Sequence, residues 1–413
     1  GGGEKTDMRK LSYRHTLAAS YLGYVTQAAV NNLAPLLFVI FQREFEVSLA
    51  QIGMLVTINF CVQIVVDLLG AKYVDRLGYR GCAVAAHLLS ALGLAGLALF
   101  PQLLPNPFAG LVAAVVVYAV GGGLIEVLIS PIVEALPGEQ KASAMSLLHS
   151  FYCWGHMAVV LLSTLYFLCF GQDAWRALPL LWALLPLLNA FYFLLVPLRT
   201  LPGEGLGHGF RALFGSKLFW LFLLLMLSSG AAEQSMSQWA SLFAETGLRV
   251  SKTMGDLLGP CAFALFMGLA RLYFGRKGGE LNLPKALGAS ALLCVCSYLL
   301  TALAPWPLLS LVGCGLCGLS VGLMWPGVVS LASERLPGGG TAMFAFLALA
   351  GDLGCSSGPG LVGWVSGAVA DWDWLARVFA GAPDQAGLKA GLLCALLFPL
   401  LLLLAVQALR RRA

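Results

Sequence analysis

The sequence predicts an all-α membrane protein with twelve transmembrane helices in two pseudo-symmetric halves of six. Three observations lead to this fold class. Hydrophobic residues make up 59% of the 413 residues and charged residues only 11%, whereas soluble domains carry roughly 25% charged residues. Twelve apolar runs are each long enough to cross a bilayer, which takes about 18 residues or more. One long polar link divides these runs six and six.

The twelve predicted helices, called segments 1 to 12, follow one another with short connections. The first six lie near residues 15–41, 49–73, 80–101, 108–136, 141–170 and 176–198, and the second six near 217–244, 252–275, 283–304, 307–334, 340–370 and 386–409. The link, residues 199–216, is the only stretch both long and polar enough to separate two halves. We therefore predict an N-terminal segment (1–14), a first half (15–198), the linker, and a second half (217–413).

The distribution of Lys and Arg predicts which side of the membrane each loop faces. If the N-terminus lies inside, nineteen of the 25 basic residues fall on the inner side and the remaining six on the outer side. Cytoplasmic loops carry the excess of positive charge in membrane proteins. The count predicts that both termini and the linker are cytoplasmic. Because the basic residues sit in these short loops, the net charge of +5 gives no indication of nucleic-acid binding.

Segment 4 carries an acidic residue near its centre. Glu126 follows three glycines, Gly121 to Gly123, and precedes Pro131 within an apolar run. A carboxylate inside the membrane is costly, so it is usually protonated, paired or turned to a watered cavity. The glycines allow a neighbouring helix to approach closely. We predict that Glu126 couples transport to protons; the alternative is a protonated Glu that only hydrogen-bonds a neighbouring helix.

Segment 5 contains two histidines on one face, His149 and His156, seven residues apart. Imidazole exchanges protons near neutral pH, and we assign His149 to proton coupling beside Glu126. A structural histidine is the alternative. No metal site is predicted, because ring nitrogens at this spacing lie roughly 10 Å apart along a helix. No cofactor site is predicted either.

Polar side chains on three other segments are candidate substrate contacts. On segment 1, Gln27 and Asn31 are four residues apart and share a face. On segment 7, polar residues repeat every four positions and form a stripe. Trp325 on segment 10 could stack on a sugar face. The alternative for each is helix–helix packing. The predicted substrate-binding residues are Gln27, Asn31, Asn32, Glu233, Gln234, Gln238 and Trp325.

The turn between segments 2 and 3, residues 71–80, reads AKYVDRLGYR. It resembles the signature G-x-x-x-D-R-x-G-R-R of the major facilitator superfamily, with Ala71 in place of the first glycine. The matching residues are Asp75, Arg76, Gly78 and Arg80. The resemblance implies twelve helices in two halves and a cytoplasmic latch between them.

Two further acidic residues are assigned to the same gate. Asp67 lies two turns before Asp75 on segment 2, and Asp352 on segment 11 lies near where the signature is expected to dock. The predicted gating residues are Asp67, Asp75, Arg76, Arg80 and Asp352. We expect the three aspartates to cluster toward the cytoplasmic face.

Within that superfamily the chain resembles the fucose–proton symporter branch. Glu126 and Pro131 fall where the branch has a glutamate and a following proline, and residues 230–239 resemble its G-x-E-x-S-x-S-x-W pattern. One departure is that Pro35 stands where the branch has an aspartate on the first helix. The resemblance implies proton-coupled import of a small neutral polyhydroxylated solute, a sugar or a sugar-like molecule, by alternating access.

The scarcity of basic residues inside the segments narrows the substrate class. Segments 1 to 6 have no Lys or Arg between the helix ends, and segments 7 to 12 have only Arg271, which we place near the inner end. Carriers of phosphates or dicarboxylates need fixed cations to offset the substrate charge. A neutral or cationic solute therefore fits better, and we predict a monomeric carrier whose partners are that solute, protons and the bilayer.

Two other functions stay open at this point. An efflux carrier for lipophilic cations would use Glu126 and Glu233 as counter-charges in an aromatic, amide-poor cavity. An intramembrane enzyme would need Glu126 and His149 within hydrogen-bond reach, near 3 Å, together with a nucleophile or a metal. For the carrier we expect Asn31, Glu126, Glu233 and Trp325 to face one central cavity, away from the three gating aspartates.

Overall fold

The computed structural model describes residues 11–138, 141–199, 210–338 and 340–412. Within these ranges twelve helices are long and apolar enough to span a membrane, which confirms the predicted fold class. In the first half they are α1 (Tyr13–Phe45), α2 (Leu49–Leu77), α3 (Tyr79–Leu103), α4 (Pro107–Glu134), α5 (Lys141–Phe170) and α6 (Ala177–Leu195). In the second half they are α7 (Lys217–Gly247), α8 (Lys252–Lys277), α9 (Leu283–Leu303), α10 (Pro307–Arg335), α11 (Gly340–Val369) and α12 (Pro383–Arg411).

The helices begin and end where local chemistry favours it. Ser48 forms a capping box with Gln51 at the start of α2, each side chain accepting a hydrogen bond from the other's backbone N–H. Proline stands in the first turn of α4, α9 and α10, where it costs no backbone hydrogen bond. Gly78 separates α2 from α3 with φ at 88°, a value that glycine adopts readily and other residues rarely do. This explains why the turn signature contains a glycine there.

Two short α-helices of the described chain lie outside the twelve, Phe210–Phe214 before α7 and Asp373–Phe379 between α11 and α12. Residues 1–10 of the predicted N-terminal segment and 200–209 of the predicted linker lie outside the described residues. The second half also departs from regular α-helix at two places. The end of α7 (Phe243–Gly247) and a stretch of α8 (Leu257–Cys261) are π-helical, a distortion found frequently at functional sites.

Glycines on α4 bring its neighbours into direct contact, as the sequence predicts. A methyl group added at Gly121 would collide with Ser90 on α3, and one at Gly123 would lie 2.9 Å from Cβ of Val66 on α2. In the second half, Gly354 of α11 lies against the carbonyl of Leu227 on α7. Backbones approach closely at small residues because no side chain intervenes, which is how membrane helices gain packing contacts.

The two halves meet most closely at the end of the bundle opposite the chain termini. The Thr57 hydroxyl of α2 donates to the Ser356 carbonyl of α11 at 2.8 Å, and one turn further along a methyl group at Gly53 would lie 3.1 Å from Cα of Gly363. At the end that carries the termini, His149 of α5 is exposed although it faces the ring of Tyr24 on α1. The end where these contacts between the halves lie is called the closed end below, and the end with the exposed His149 is called the open end.

The helix contact at Gly354 generates a stability prediction. Replacing Gly354 by Ala should lower the free energy of unfolding by about 1–3 kcal/mol, because the new methyl group overpacks the α7–α11 interface. Gly81→Ala on α3 is the matched control, since nothing lies within 4 Å of the added methyl group. Thermal melting of the detergent-purified variants measures the difference. Equal melting temperatures for the two variants would contradict this packing.

Candidate functional site

A cluster of amide side chains lies between α1 and α2, at the level where the halves meet. The Asn31 carbonyl oxygen Oδ1 accepts hydrogen bonds from Gln63 Nε2 at 2.7 Å and from Asn59 Nδ2 at 3.1 Å. The amide nitrogens of Asn31 and Asn32 both donate to the hydroxyl of Tyr152 on α5 at 3.2 Å. All four amide side chains are buried. Their hydrogen bonds hold these side chains in position and satisfy the need of buried polar groups for partners.

The second half joins this cluster through Gln238 of α7. Pro35 has no N–H, so the backbone carbonyl of Asn31, one turn earlier in α1, lacks its helical partner. Gln238 Nε2 donates to that carbonyl at 3.1 Å and lies 3.4 Å from Oδ1 of Asn32. It also lies 3.1 Å from Oε1 of Gln234, on its own helix. Pro35 thus opens a backbone acceptor that connects the two halves.

The same stripe of α7 carries an ion pair. Glu233 Oε1 lies 3.3 Å from Nη2 of Arg271 on α8, and Oε2 accepts from Gln234 Nε2 at 3.2 Å. The Arg271 and Glu233 side chains are 21% and 12% exposed. Arg271, which the sequence analysis places near the inner helix end, therefore reaches the central polar stripe. The two charges compensate each other and leave this part of the site neutral.

The remaining predicted substrate residues differ in their surroundings. Gln27 is buried on α1, 6% exposed. Trp325 of α10 is half-buried, and its indole lies directly against Gly351 of α11. Trp325 therefore packs against α11, and the residue remains partly accessible to solvent.

Three carboxylates converge where α2, α4 and α11 meet. Asp67, Glu126 and Asp352 each present an oxygen within 4.8 Å of the other two. Asp352 is buried, while Asp67 and Glu126 are half-buried. This contradicts the expectation that the gating aspartates lie apart from Glu126: two of them contact it.

The convergence has a physical cause in the glycine packing. Gly123 on α4 meets Gln63 and Val66 on α2, and one turn further Gly70 on α2 meets Val127. Asp67 and Glu126 lie between these two contacts, and their carboxyl oxygens approach within 4.8 Å. The α11 helix then brings Asp352 across from the other half, because it packs along α2. Sequence position alone places Asp67 near the gate but does not show this contact.

The signature residues occupy different positions. Arg80 Nη1 donates to the carbonyls of Phe193 and Val196 at 2.8 Å, and to that of Leu194 at 3.1 Å. It therefore caps the C-terminal end of α6 within the first half, rather than joining the two halves in this conformation. Arg76 is exposed in the last turn of α2. The side chain of Asp75 lies outside the described residues.

A second ion pair lies at the closed end. Lys252 Nζ donates to the carbonyl of Leu36 on α1 at 2.6 Å and to Oδ2 of Asp256 at 3.0 Å. The charge count places Lys252 on the outer side of the membrane, and its side chain is only 5% exposed. Because Leu36 belongs to the first half, Lys252 links the halves on the side opposite the termini.

Comparison with known proteins identifies the family. The family model of the Major Facilitator Superfamily matches residues 20–359. The chain belongs to the Major Facilitator Superfamily. Members of this family and its structural neighbours are transporters rather than enzymes. A search of curated protein sequences finds no match.

Solved transporters share the fold along nearly their whole length. A D-xylose–proton symporter is 15% identical, with 94% of this chain and 97% of that chain covered and a TM-score of 0.75. A bacterial homologue of the human lysosomal transporter Spinster, inward-facing and occupied, is 15% identical with 97% of each chain covered and a TM-score of 0.76. The E. coli fucose:proton symporter is 18% identical, with 96% and 99% covered and a TM-score of 0.63.

Sequence reasoning missed Asn59 and Tyr152 as members of the central cluster of this superfamily protein. Asn59 could have been found from the sequence, because polar residues occur every four positions on α2. Asn59, Gln63 and Asp67 therefore share one face of that helix. No comparable pattern marks Tyr152. Its hydroxyl enters the cluster only because α5 packs on α1.

The central ion pair generates the second prediction. Replacing Arg271 by Met should destabilise the protein by about 2–4 kcal/mol, because Glu233 loses its counter-charge in a largely buried place. The double variant R271M/E233Q should recover most of that loss, since it removes both charges. Thermal melting of the three proteins measures the coupling. Additive losses in the double variant would show that the two residues do not act as a pair.

Proposed function

We propose that this protein is a secondary active transporter that imports a small neutral polyhydroxylated solute together with protons by alternating access. The supporting observation is the amide cluster shared by the two halves, in which Asn31 of α1 and Gln238 of α7 are hydrogen-bonded. Carboxamides offer both donors and acceptors, which suits hydroxyl groups. The xylose and fucose symporters among the structural neighbours agree with a sugar-like substrate.

The charge balance of the site supports a neutral solute. Arg271 is neutralised by Glu233, so no free cation is offered to an anionic substrate among the described residues of this cluster. The efflux alternative predicts an aromatic, amide-poor cavity. Asn31, Asn59 and Gln63 make the observed site amide-rich instead. The enzyme alternative requires a direct contact between Glu126 and His149, and no hydrogen bond or ion pair between them occurs in the described part of the chain.

We place the termini in the cytoplasm on the basis of the charge count. With that orientation, the closed end is extracellular and the observed conformation is inward-facing. Transport then requires the Lys252–Leu36 and Gln238–Asn31 contacts to break, and the opposite ends of the halves to approach. We propose that the carrier works as a monomer, since one chain supplies both halves of the site.

We assign proton coupling to Glu126. We propose that protons reach Glu126 from the open end, past His149. The His149 ring lies 5.4 Å from the Tyr24 ring between centroids. The Tyr24 hydroxyl hydrogen-bonds Ser130, one turn after Glu126 on α4, at 2.9 Å. Because His149 is exposed at the open end, water from that side can reach this chain of polar groups.

The substrate class is tested first by ligand stabilisation. Purified protein is heated with a panel of sugars, nucleosides and amine drugs, and a ligand of the folded state raises the melting temperature by mass action. We expect stabilisation by a sugar or sugar-like solute. Stabilisation by lipophilic amines alone would contradict the proposal.

Proton coupling is tested with the solute that gives the largest shift. Glu126→Gln should abolish pH-driven uptake into proteoliposomes but retain counterflow, because Gln resembles the protonated acid in shape and cannot release a proton. Glu134→Gln, an exposed carboxylate on the same helix, is the matched control and should behave as the parent. Unchanged pH-driven uptake in Glu126→Gln would remove Glu126 from the coupling step.

A further inference from the structure

The carboxylate cluster of Asp67, Glu126 and Asp352 forms no ion pair with any described residue, and Asp352 is buried. Glu233 is paired with Arg271, and Asp256 with Lys252. Among the described residues, no nitrogen of Lys, Arg or His lies within 4.0 Å of the three carboxylates of the cluster. Three ionised carboxylates this close together in an apolar protein interior repel one another strongly.

The individual oxygen atoms point to what compensates them. Asp352 is 7% exposed, and its Oδ2 has no hydrogen-bond partner in the described structure; Oδ1 of Asp67 has none either. Each of the three carboxyl groups nevertheless has an oxygen within 4.8 Å of an oxygen of the other two. Two ionised carboxylates cannot donate to each other, whereas a protonated one donates through its O–H. Carboxyl groups this close together, with no counter-charge among the described residues, favour a proton held within the cluster.

The cluster also spans the boundary between the halves. Asp67 and Glu126 belong to the first half, and Asp352 to the second. Few titratable groups of the described chain lie near them. Tyr24 of α1 hydrogen-bonds Ser130, one turn after Glu126, and Cys355 of α11 follows Asp352 by three residues. His149 of α5 faces Tyr24 rather than the carboxylates.

Three other titratable groups on packed helices are already engaged. On α3, His87 bonds Asn189 at 2.9 Å and the Ala83 carbonyl at 2.7 Å. On α7 and α8, Glu233 and Arg271 bond each other. The side chains of Lys72 and Asp75 on α2 lie outside the described residues. Among the described residues, the proton balance of the cluster is therefore set mainly by its own three members.

We propose that Asp67, Glu126 and Asp352 form a shared proton site whose occupancy controls whether the two halves stay together at this level. With a proton bound, Asp352 hydrogen-bonds across the boundary to Asp67. When the proton leaves to the open side, the remaining negative charges push α11 away from α2. This deepens the proposed function, on which it rests, because it makes the coupling proton a link between the halves rather than a property of Glu126 alone.

The test follows the distance between the halves without substrate, so its result is independent of transport. Spin labels on bioorthogonal amino acids replace Leu77 of α2 and Glu334 of α10, two exposed residues on different halves. Pulsed electron–electron double resonance then reports the distance from about pH 5 to about pH 9. One linked proton changes the ratio of the two populations by at most about tenfold per pH unit.

We expect the longer distance to gain population as the pH rises in the parent protein. Asp352→Asn should lose this response, because the charge from the second half is gone. Asp352→Glu should retain it, and so should Glu134→Gln on the same helix as Glu126. The glutamate variant also separates loss of the acid from failure to fold. A pH response in Asp352→Asn equal to that of the parent would overturn the proposal.

Sodium supplies the second arm of the test. Replacing potassium by sodium at constant pH and ionic strength should leave the distances unchanged if the site holds a proton. A sodium-dependent shift that disappears in Asp352→Asn would overturn the proton assignment and identify a metal cation as the occupant. A protein that shows no pH-driven uptake, but whose spin-label distance still responds to pH, would contradict the proposed function. The proposed proton site would then still stand.

Discussion

Charged and strongly polar side chains inside a membrane bundle persist only where something compensates them. In this protein two of the described acidic side chains are compensated by a basic partner, and we propose a proton for the carboxylate cluster. Arg271 neutralises Glu233, and Lys252 neutralises Asp256 while binding the carbonyl of Leu36. The Asn31 carbonyl left free by Pro35 takes its hydrogen bond from Gln238. Two of these interactions, Lys252 with Leu36 and Gln238 with Asn31, join the two halves, so there the compensation of a polar group is also a contact between the halves.

This dependence connects the structure to alternating access. Contacts that cross the boundary must be made and broken as the halves rock, so each state has to satisfy its buried polar groups differently. At the closed end, Lys252 and Gln238 supply fixed donors to backbone carbonyls of α1. At the level of Asp352, the proposed proton would neutralise the carboxylates. Because a proton can leave, the link between Asp352 and Asp67 could then be broken without leaving an unpaired basic side chain.

The sequence predicted the fold well for a clear reason. Membrane helices must satisfy their backbone hydrogen bonds internally, so length and apolarity locate them without tertiary information. Glu126, the glycines before it and the polar stripe around Gln238 could be found by helical spacing alone. The positions of Asp352 and Tyr152 could not, because they depend on how helices rotate against each other. The burial of Lys252 could not be predicted either, because the charge count assigns a residue to one side of the membrane without showing whether its side chain is solvated.

We propose that amide side chains of both halves bind the solute. The affinity for that solute is the most direct test of this claim. Affinity for the solute that most stabilises the protein should fall about 10- to 100-fold in Gln238→Leu, which removes a donor and acceptor from the cluster. Ser229→Ala is the control on the same helix, because that hydroxyl bonds only the Leu225 carbonyl in the described structure. A Gln238→Leu protein that binds as tightly as the parent would contradict a site shared by the two halves.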